Sequence, residues 1–243
     1  MDAHTDLLFV HGFTGSKEDL APVAAILAQS GFRVLTFDHR GNYQSGHTKR
    51  ADGYSMESLG RDVVELSKYF GLKKPHLLGH SFGGLISQQA IRLSPSNWSS
   101  VTLMCSGPGG RPNWLNEPQF NQYSNETKET IWQEIMAPAR LGNPKFELWK
   151  KRWLATDANA TMTYRDHLLK QPSLISDIAQ LKIPAHVIYG ENDDAWPIDE
   201  QNQMAKDLGA KVTVLPQLGH CPNEENPEVT ATALASFWRG LRH

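Results

Sequence analysis

Cysteine is scarce. Cys105 and Cys221 are the two in 243 residues, and neither has the CxxC spacing that holds zinc or runs dithiol redox chemistry, so both are read as ordinary reduced thiols. An excess of charge of either sign is lacking too. The 24 Lys and Arg are scattered among 26 Asp and Glu, for a formal net charge of −2, which implies no basic face for a phosphate backbone and excludes nucleic acid as the expected partner. No apolar run approaches the roughly 20 residues of a membrane span. The opening Met1-Asp2-Ala3-His4-Thr5-Asp6 carries neither a basic region nor an apolar signal segment. A soluble, cytoplasmic protein with no membrane span is the expectation. Internal repeats and low-complexity tracts are also missing, so the chain reads as one large α/β unit, with or without an insertion.

What the chain does contain is a set of short apolar runs, each ending in a glycine-rich loop. Leu7-Leu8-Phe9-Val10 has the continuous apolar character of a strand buried on both faces, and it stops at His11-Gly12-Phe13-Thr14-Gly15-Ser16. Ser16 and Asp19 form a capping-box pattern for an amphipathic stretch through Leu20, Val23, Ala24 and Leu27. Phe32 to Phe37 is a second strand, closing in Asp38-His39-Arg40-Gly41, where Asp38 and Arg40 are read as a loop-anchoring ion pair. Ser55 caps a helix through Met56, Leu59, Val63, Leu66 and Phe70, and further strands are expected over Pro75 to Leu78, Val101 to Cys105, Ala185 to Tyr189 and Val212 to Leu215. Strands alternating with helices indicate a mostly parallel, doubly wound sheet. The alternation lapses over 111–173, which shows helical patterns at Thr130 to Met136 and Phe146 to Leu154. We expect a core formed by 1–110 and 174–243 with a helical cap inserted at 111–173.

The most informative stretch is Leu77-Leu78-Gly79-His80-Ser81-Phe82-Gly83-Gly84, in which a strand gives way to a helix at a serine flanked by glycines. Such a turn holds the serine in a strained conformation with its hydroxyl presented above the sheet. The pentapeptide alone also suits a glycine-rich turn whose serine only caps a helix. Its context favours the nucleophile. Past the strand at Tyr189 comes Gly190-Glu191-Asn192-Asp193-Asp194, and past the strand at Leu215 comes Leu218-Gly219-His220, so a serine, an acid and a histidine follow in that chain order, each at a strand end. A serine hydroxyl is too weak an acid to attack a carbonyl unaided. It needs a neutral imidazole to take its proton and a carboxylate to hold that ring, roles for which Ser81, His220 and Asp193 are the candidates.

Phe9-Val10-His11-Gly12-Phe13, Asp38-His39-Arg40-Gly41, Gly79-His80-Ser81-Phe82-Gly83-Gly84, Gly190-Glu191-Asn192-Asp193 with Pro197, and Leu218-Gly219-His220 together resemble the α/β-hydrolase superfamily over nearly the full length. The resemblance implies a six-strand parallel core with a helical cap, and it implies that the N–H groups of Phe13 and Phe82 form an oxyanion hole. It also implies a serine hydrolase cleaving a small carboxylic ester or related acyl compound, with no cofactor. Two departures stand out. The antiparallel edge hairpin of many relatives is not expected, and Tyr43 stands where relatives usually carry glycine, so the local geometry of that loop is expected to differ.

Other readings remain open on the same frame. His11-Gly12-Phe13-Thr14-Gly15 is similar to the menaquinone-pathway elimination enzyme, succinyl-cyclohexadiene-carboxylate synthase, although that family usually has arginine at the position of Leu85. C–C-bond hydrolases, acyltransferases and haloperoxidase-like relatives share the frame, and a ligand sensor built on the hydrolase fold is the reading of a different class. His11, His39, His47 and His80 gather at strand ends but show no HxH or HExxH spacing, so no metal site is assigned. Trp114, Trp132, Trp149 and Trp153 either line an acyl pocket or pack the cap.

Overall fold

Leu7 to Val10 are fully shielded from solvent, as a strand covered on both faces must be, and they form most of β1 (Thr5–Val10) in a computed structural model that describes residues 5–111 and 122–241. With β2 (Phe32–Thr36), β3 (His76–His80), β4 (Ser100–Met104), β5 (Ala185–Gly190) and β6 (Lys211–Leu215) it makes a six-stranded sheet in the order β2-β1-β3-β4-β5-β6. Every pairing is parallel. No antiparallel strand occurs among the described residues.

The helices are α1 (Lys17–Gln29), α2 (Met56–Tyr69), α3 (Phe82–Leu93), α4 (Lys128–Ile131), α5 (Phe146–Ala155), α6 (Ala158–Lys170), α7 (Ile175–Gln180), α8 (Ile198–Leu208), α9 (Pro222–Glu225) and α10 (Pro227–Gly240). α1 packs on α10, whereas α2 packs on α3, the separation expected when a sheet is wound outward in both directions from its first strand. The strand order reverses at β1, with β2 on one side and β3 on the other. Where that happens the connections leave on opposite faces, and a crevice opens beyond the carboxyl ends of β1 and β3. The His11–Ser16 loop and Ser81 sit at those two ends.

Local sequence accounts for the helix starts. Asp19 Oδ2 accepts from the Ser16 N–H at 3.0 Å, the return bond of the expected capping box, and Ser55 Oγ accepts from the Ser58 N–H at 3.2 Å. Between β4 and β5 the described residues form helices and turns only. The pattern at Thr130 to Met136 resolves into the short α4 and a wider turn in which the Ala137 N–H reaches back five residues to the Trp132 carbonyl at 2.7 Å. Tyr123, Ile131, Trp132 and Trp153 bury one another in a cluster of their own, and Trp114 lies outside the described residues.

One sequence reading is corrected here. Asp38 and Arg40 do not pair. Asp38 accepts from the Lys17 N–H at 2.9 Å and from Lys17 Nζ at 2.7 Å, and Arg40 makes a bidentate pair with Asp62 on α2. Residues two apart on extended backbone point the same way only if the chain stays straight, and here the loop turns, with Gly41 at φ 79° and Tyr43 at φ 42°. Tyr43 thus takes a left-handed conformation that glycine would adopt more easily. Its N–H donates to Thr156 Oγ1 at 3.1 Å.

Four of the buried histidines, His11, His39, His80 and His186, have burial pushing them toward the neutral ring. His39 N–H donates to His11 Nε2 at 3.1 Å, so His11 carries its proton on Nδ1 and gives it to the Gly12 carbonyl at 2.8 Å, while His39 Nε2 donates to the His11 carbonyl. Burial pushes His11 and His186 down to about 3 and His80 to about 4, and it holds His39 well below the ordinary value. The unfolded chain, with histidines near the ordinary value of about 6.5, therefore binds more protons than the fold throughout the window below it. Stability is complete above pH about 6.5 and is lost as the pH falls toward 4. All four shifts have the same sign, so their effects add as the pH falls, against a total stability of about 5–15 kcal/mol for a typical domain. Cooperative acid unfolding in the window below pH about 6.5 is expected, with net uptake of protons by these rings. Melting temperatures and proton uptake in buffers of different ionisation enthalpy test this. A melting temperature flat from pH 7 to 5 contradicts it.

Candidate active site

Ser81 stands at the junction of β3 and α3 with φ 53° and ψ −119°, a backbone conformation that L residues rarely adopt. Close packing forces the turn. A Cβ on Gly79 would lie 2.3 Å from the Gly83 carbonyl oxygen, and one on Gly83 would lie 2.1 Å from the Val10 carbonyl oxygen, so nothing but hydrogen fits at either position. The Ser81 N–H is tied to the Met104 carbonyl at 2.9 Å, and Ser106 Oγ donates to the Ser81 carbonyl at 2.8 Å. The residue is 3% exposed, and its hydroxyl points along one direction, toward His220.

His220 Nε2 lies 3.0 Å from Ser81 Oγ, and His220 Nδ1 lies 2.8 Å from Asp193 Oδ1. Asp193 has only acceptors to offer, so it takes the Nδ1–H, which leaves Nε2 as the lone-pair nitrogen facing the hydroxyl. Serine, histidine and aspartate thus join in one directional chain of hydrogen bonds. Asp193 accepts three more, from the N–H groups of Ala195 at 3.0 Å and Trp196 at 3.3 Å and from Gln201 Nε2 at 3.0 Å. Burial raises its pKa, but His220 and those backbone donors more than offset this and hold it below the ordinary carboxylate value. Asp194, next in the chain, is exposed.

The histidine loop is clamped from both sides. Glu225 Oε2 accepts from the Gly219 N–H at 2.6 Å and Oε1 from the Cys221 N–H at 2.9 Å, so one carboxylate grips the main chain on either side of His220. His80 Nε2 donates to the His220 carbonyl at 2.8 Å, with ring centroids 5.2 Å apart. Neither Gln201 nor Glu225 was marked by the sequence patterns. Glu225 had a local signal, a carboxylate placed to fold back over the start of the short α9; Gln201 is brought in by the crossover from β5 and had none.

His80, Cys105 and His220 bring potential ligand atoms within 4.8 Å of one another, the one such grouping among the described residues. It fits a metal poorly. Both nitrogens of His220 and one of His80 are committed to hydrogen bonds, and burial holds the Cys105 thiol well above the ordinary value, protonated and unsuited to ligation. Cys221 also borders the site, and burial pushes its thiol up to about 12, which leaves it a weak nucleophile at neutral pH.

A cavity of about 290 Å³ opens beside Ser81 and His220. Gly12 and Phe13 border it from the β1 loop, and Tyr123, Trp132, Trp149 and Trp153 wall it from the helical segment. At the small end of the usual range for ligand pockets, it suits a small, partly apolar molecule. Phe82 is the first residue of α3, where no intrahelical carbonyl reaches its N–H.

A family model described as alpha/beta hydrolase fold matches residues 6–227. A 2-succinyl-6-hydroxy-2,4-cyclohexadiene-1-carboxylate synthase of Enterobacter sp. (strain 638) is 25% identical over 252 residues, covering 96% of this chain and 91% of the relative. The uncharacterized hydrolase YugF of Bacillus subtilis (strain 168) is 25% identical over 264 residues, covering 95% and 89%. Among solved structures, a carboxylesterase of the thaumarchaeon Nitrososphaera gargenis superposes with a TM-score of 0.79 at 19% identity, covering 98% of this chain and 91% of that one. No helix of the described residues is long and apolar enough to cross a membrane.

Proposed function

The chain belongs to the α/β-hydrolase fold family, and from that membership we propose that it is a serine hydrolase cleaving a small carboxylic ester or related acyl compound. The observation that carries this is the hydrogen-bond chain Asp193–His220–Ser81 at 2.8 and 3.0 Å, opening on a cavity. In the cycle we infer, Ser81 Oγ attacks the carbonyl carbon as its proton passes to His220 Nε2. The imidazolium, stabilised by Asp193, then gives that proton to the departing alcohol oxygen as the C–O bond breaks, leaving Ser81 acylated. Water loses a proton to the same nitrogen as it attacks the acyl carbon, and His220 returns that proton to Ser81 Oγ as the acyl C–O bond breaks and the acid leaves. The N–H groups of Phe13 and Phe82 are the proposed donors to the oxyanion, a contribution commonly worth about 3–4 kcal/mol each. Two observations support them: Phe13 borders the cavity, and the Phe82 N–H heads α3. The helices between β4 and β5 act as the cap that shapes the pocket.

The elimination reading draws less support. Leu85 is 1% exposed in the core, so that position adds no cation to the cavity. Turnover of 4-nitrophenyl acetate and butyrate separates an enzyme from a ligand sensor. Many rapid turnovers per chain, with one equivalent of fluorophosphonate incorporated, are expected; a single slow acylation without turnover contradicts the enzyme reading.

A further inference from the structure

The cavity wall carries more charge than ester hydrolysis needs. Asp19, Glu224, Arg152 and Arg140 all border it. Three of these charges are balanced nearby, because Arg152 Nη1 meets Asp19 Oδ1 at 2.7 Å and Lys145 Nζ meets Glu224 Oε1 at 2.8 Å. Arg140 is the exception. Its Nη1 donates to the Met136 carbonyl at 3.1 Å and lies 3.9 Å from the Met136 sulfur, and no carboxylate among the described residues pairs with it. The guanidinium carbon sits over the Trp149 ring, 5.9 Å from its centroid.

That arrangement leaves a usable donor edge. With Nη1 held on the Met136 carbonyl and the guanidinium carbon over the Trp149 ring, the other N–H groups of the planar fork remain for the geometry that binds a carboxylate through two parallel hydrogen bonds. Arg140 and Trp149 also border a shallow surface depression with Leu141, Asn143 and Pro144, so the pair stands where the cavity meets the outside. The same cavity that Ser81 opens on is bordered by the rings of Tyr123, Trp132 and Trp153, which offer apolar surface to a ligand that also reaches Arg140.

We propose that the acyl compound carries a second, ionised carboxylate, which Arg140 binds at the mouth of the cavity while the aromatic walls hold the chain between it and the scissile bond. This rests on the serine-hydrolase reading and narrows its substrate class to monoesters of dicarboxylic acids and similar monoanions. A single unbalanced cation and a small cavity match one planar carboxylate better than a dianionic phosphate, which calls for more donors.

The test compares mono-4-nitrophenyl adipate with its methyl-capped diester, which differs only in lacking the charge. In the wild type kcat/KM is expected to favour the anion by about 10- to 100-fold, mostly through KM, the usual worth of a hydrogen bond to a charged group. In Arg140→Met that preference ratio is expected to collapse toward one, and Arg140→Lys should restore part of it. A wild-type ratio at or below one, or a ratio unchanged in Arg140→Met, overturns the proposal. Should neither ester be turned over, the hydrolase reading fails, and calorimetric binding of monomethyl adipate then decides the arginine's role separately: tighter binding to the wild type than to Arg140→Met upholds it, and equal affinities overturn it.

Discussion

Replacing Ser81 with alanine is expected to lower kcat/KM on 4-nitrophenyl butyrate by about 10⁴- to 10⁶-fold and to abolish fluorophosphonate labelling, with the fold retained. The size follows from how the residues act together. His220 Nε2 has the Ser81 hydroxyl as its hydrogen-bond partner at 3.0 Å, so without that oxygen the histidine and aspartate have no proton to move, and only binding and the oxyanion donors remain. The fold should survive, because the groups that hold the turn are main-chain ones. The Ser81 N–H and carbonyl keep their bonds to Met104 and Ser106, and the glycines that permit the turn are untouched. A variant melting within a few degrees of the wild type while inert to the inhibitor is the expected result. Full labelling of Ser81→Ala would place the nucleophile elsewhere.

The parts of the fold that were legible in the sequence are those where burial and steric exclusion act over a few neighbouring residues. Leu7 to Val10 could be read as a strand buried on both faces because water is excluded from all four, and Gly79 and Gly83 mark the turn because a Cβ at either would meet main chain. Ion pairing was not legible in this way. Asp38 and Arg40 stand two residues apart in the loop, yet the partners they find are Lys17, 21 residues before Asp38, and Asp62, 22 residues after Arg40, chosen by how β2 delivers the loop between α1 and α2. The same limit applies to Arg140. Its position follows an irregular stretch where the helical pattern gives way to a wider turn, and no periodicity could place it at the mouth of a cavity. Gln201 sits on α8, and its contact with Asp193 spans a loop whose course depends on tertiary packing.

The loop that carries Asp193 also offers Asp194, and the two should respond very differently to loss of charge. Asp193→Asn is expected to lower kcat/KM by about 10³- to 10⁴-fold, and Asp194→Asn by no more than about tenfold. Adjacent side chains on an extended segment point apart. Asp193 is 8% exposed and faces His220, whereas Asp194 is exposed to solvent. Every group around the Asp193 carboxylate is a donor: His220 Nδ1, the N–H groups of Ala195 and Trp196, and Gln201 Nε2. Asparagine keeps the shape but has one acceptor oxygen in place of two and no charge. If its oxygen stays toward His220, the imidazolium formed during attack loses its stabilising carboxylate; if its amide turns that way, the imidazole is held in the tautomer whose Nε2 carries a proton and cannot take one from Ser81. Either orientation slows acylation. Gln201 softens the structural cost, since its Oε1 has no partner and can rotate to accept from the new amide. The loss should therefore appear in kcat with little change in melting temperature. Measuring both variants on one activated ester at neutral pH decides the matter: a larger loss for Asp194→Asn moves the acid by one residue, and small, equal losses place it elsewhere in the chain.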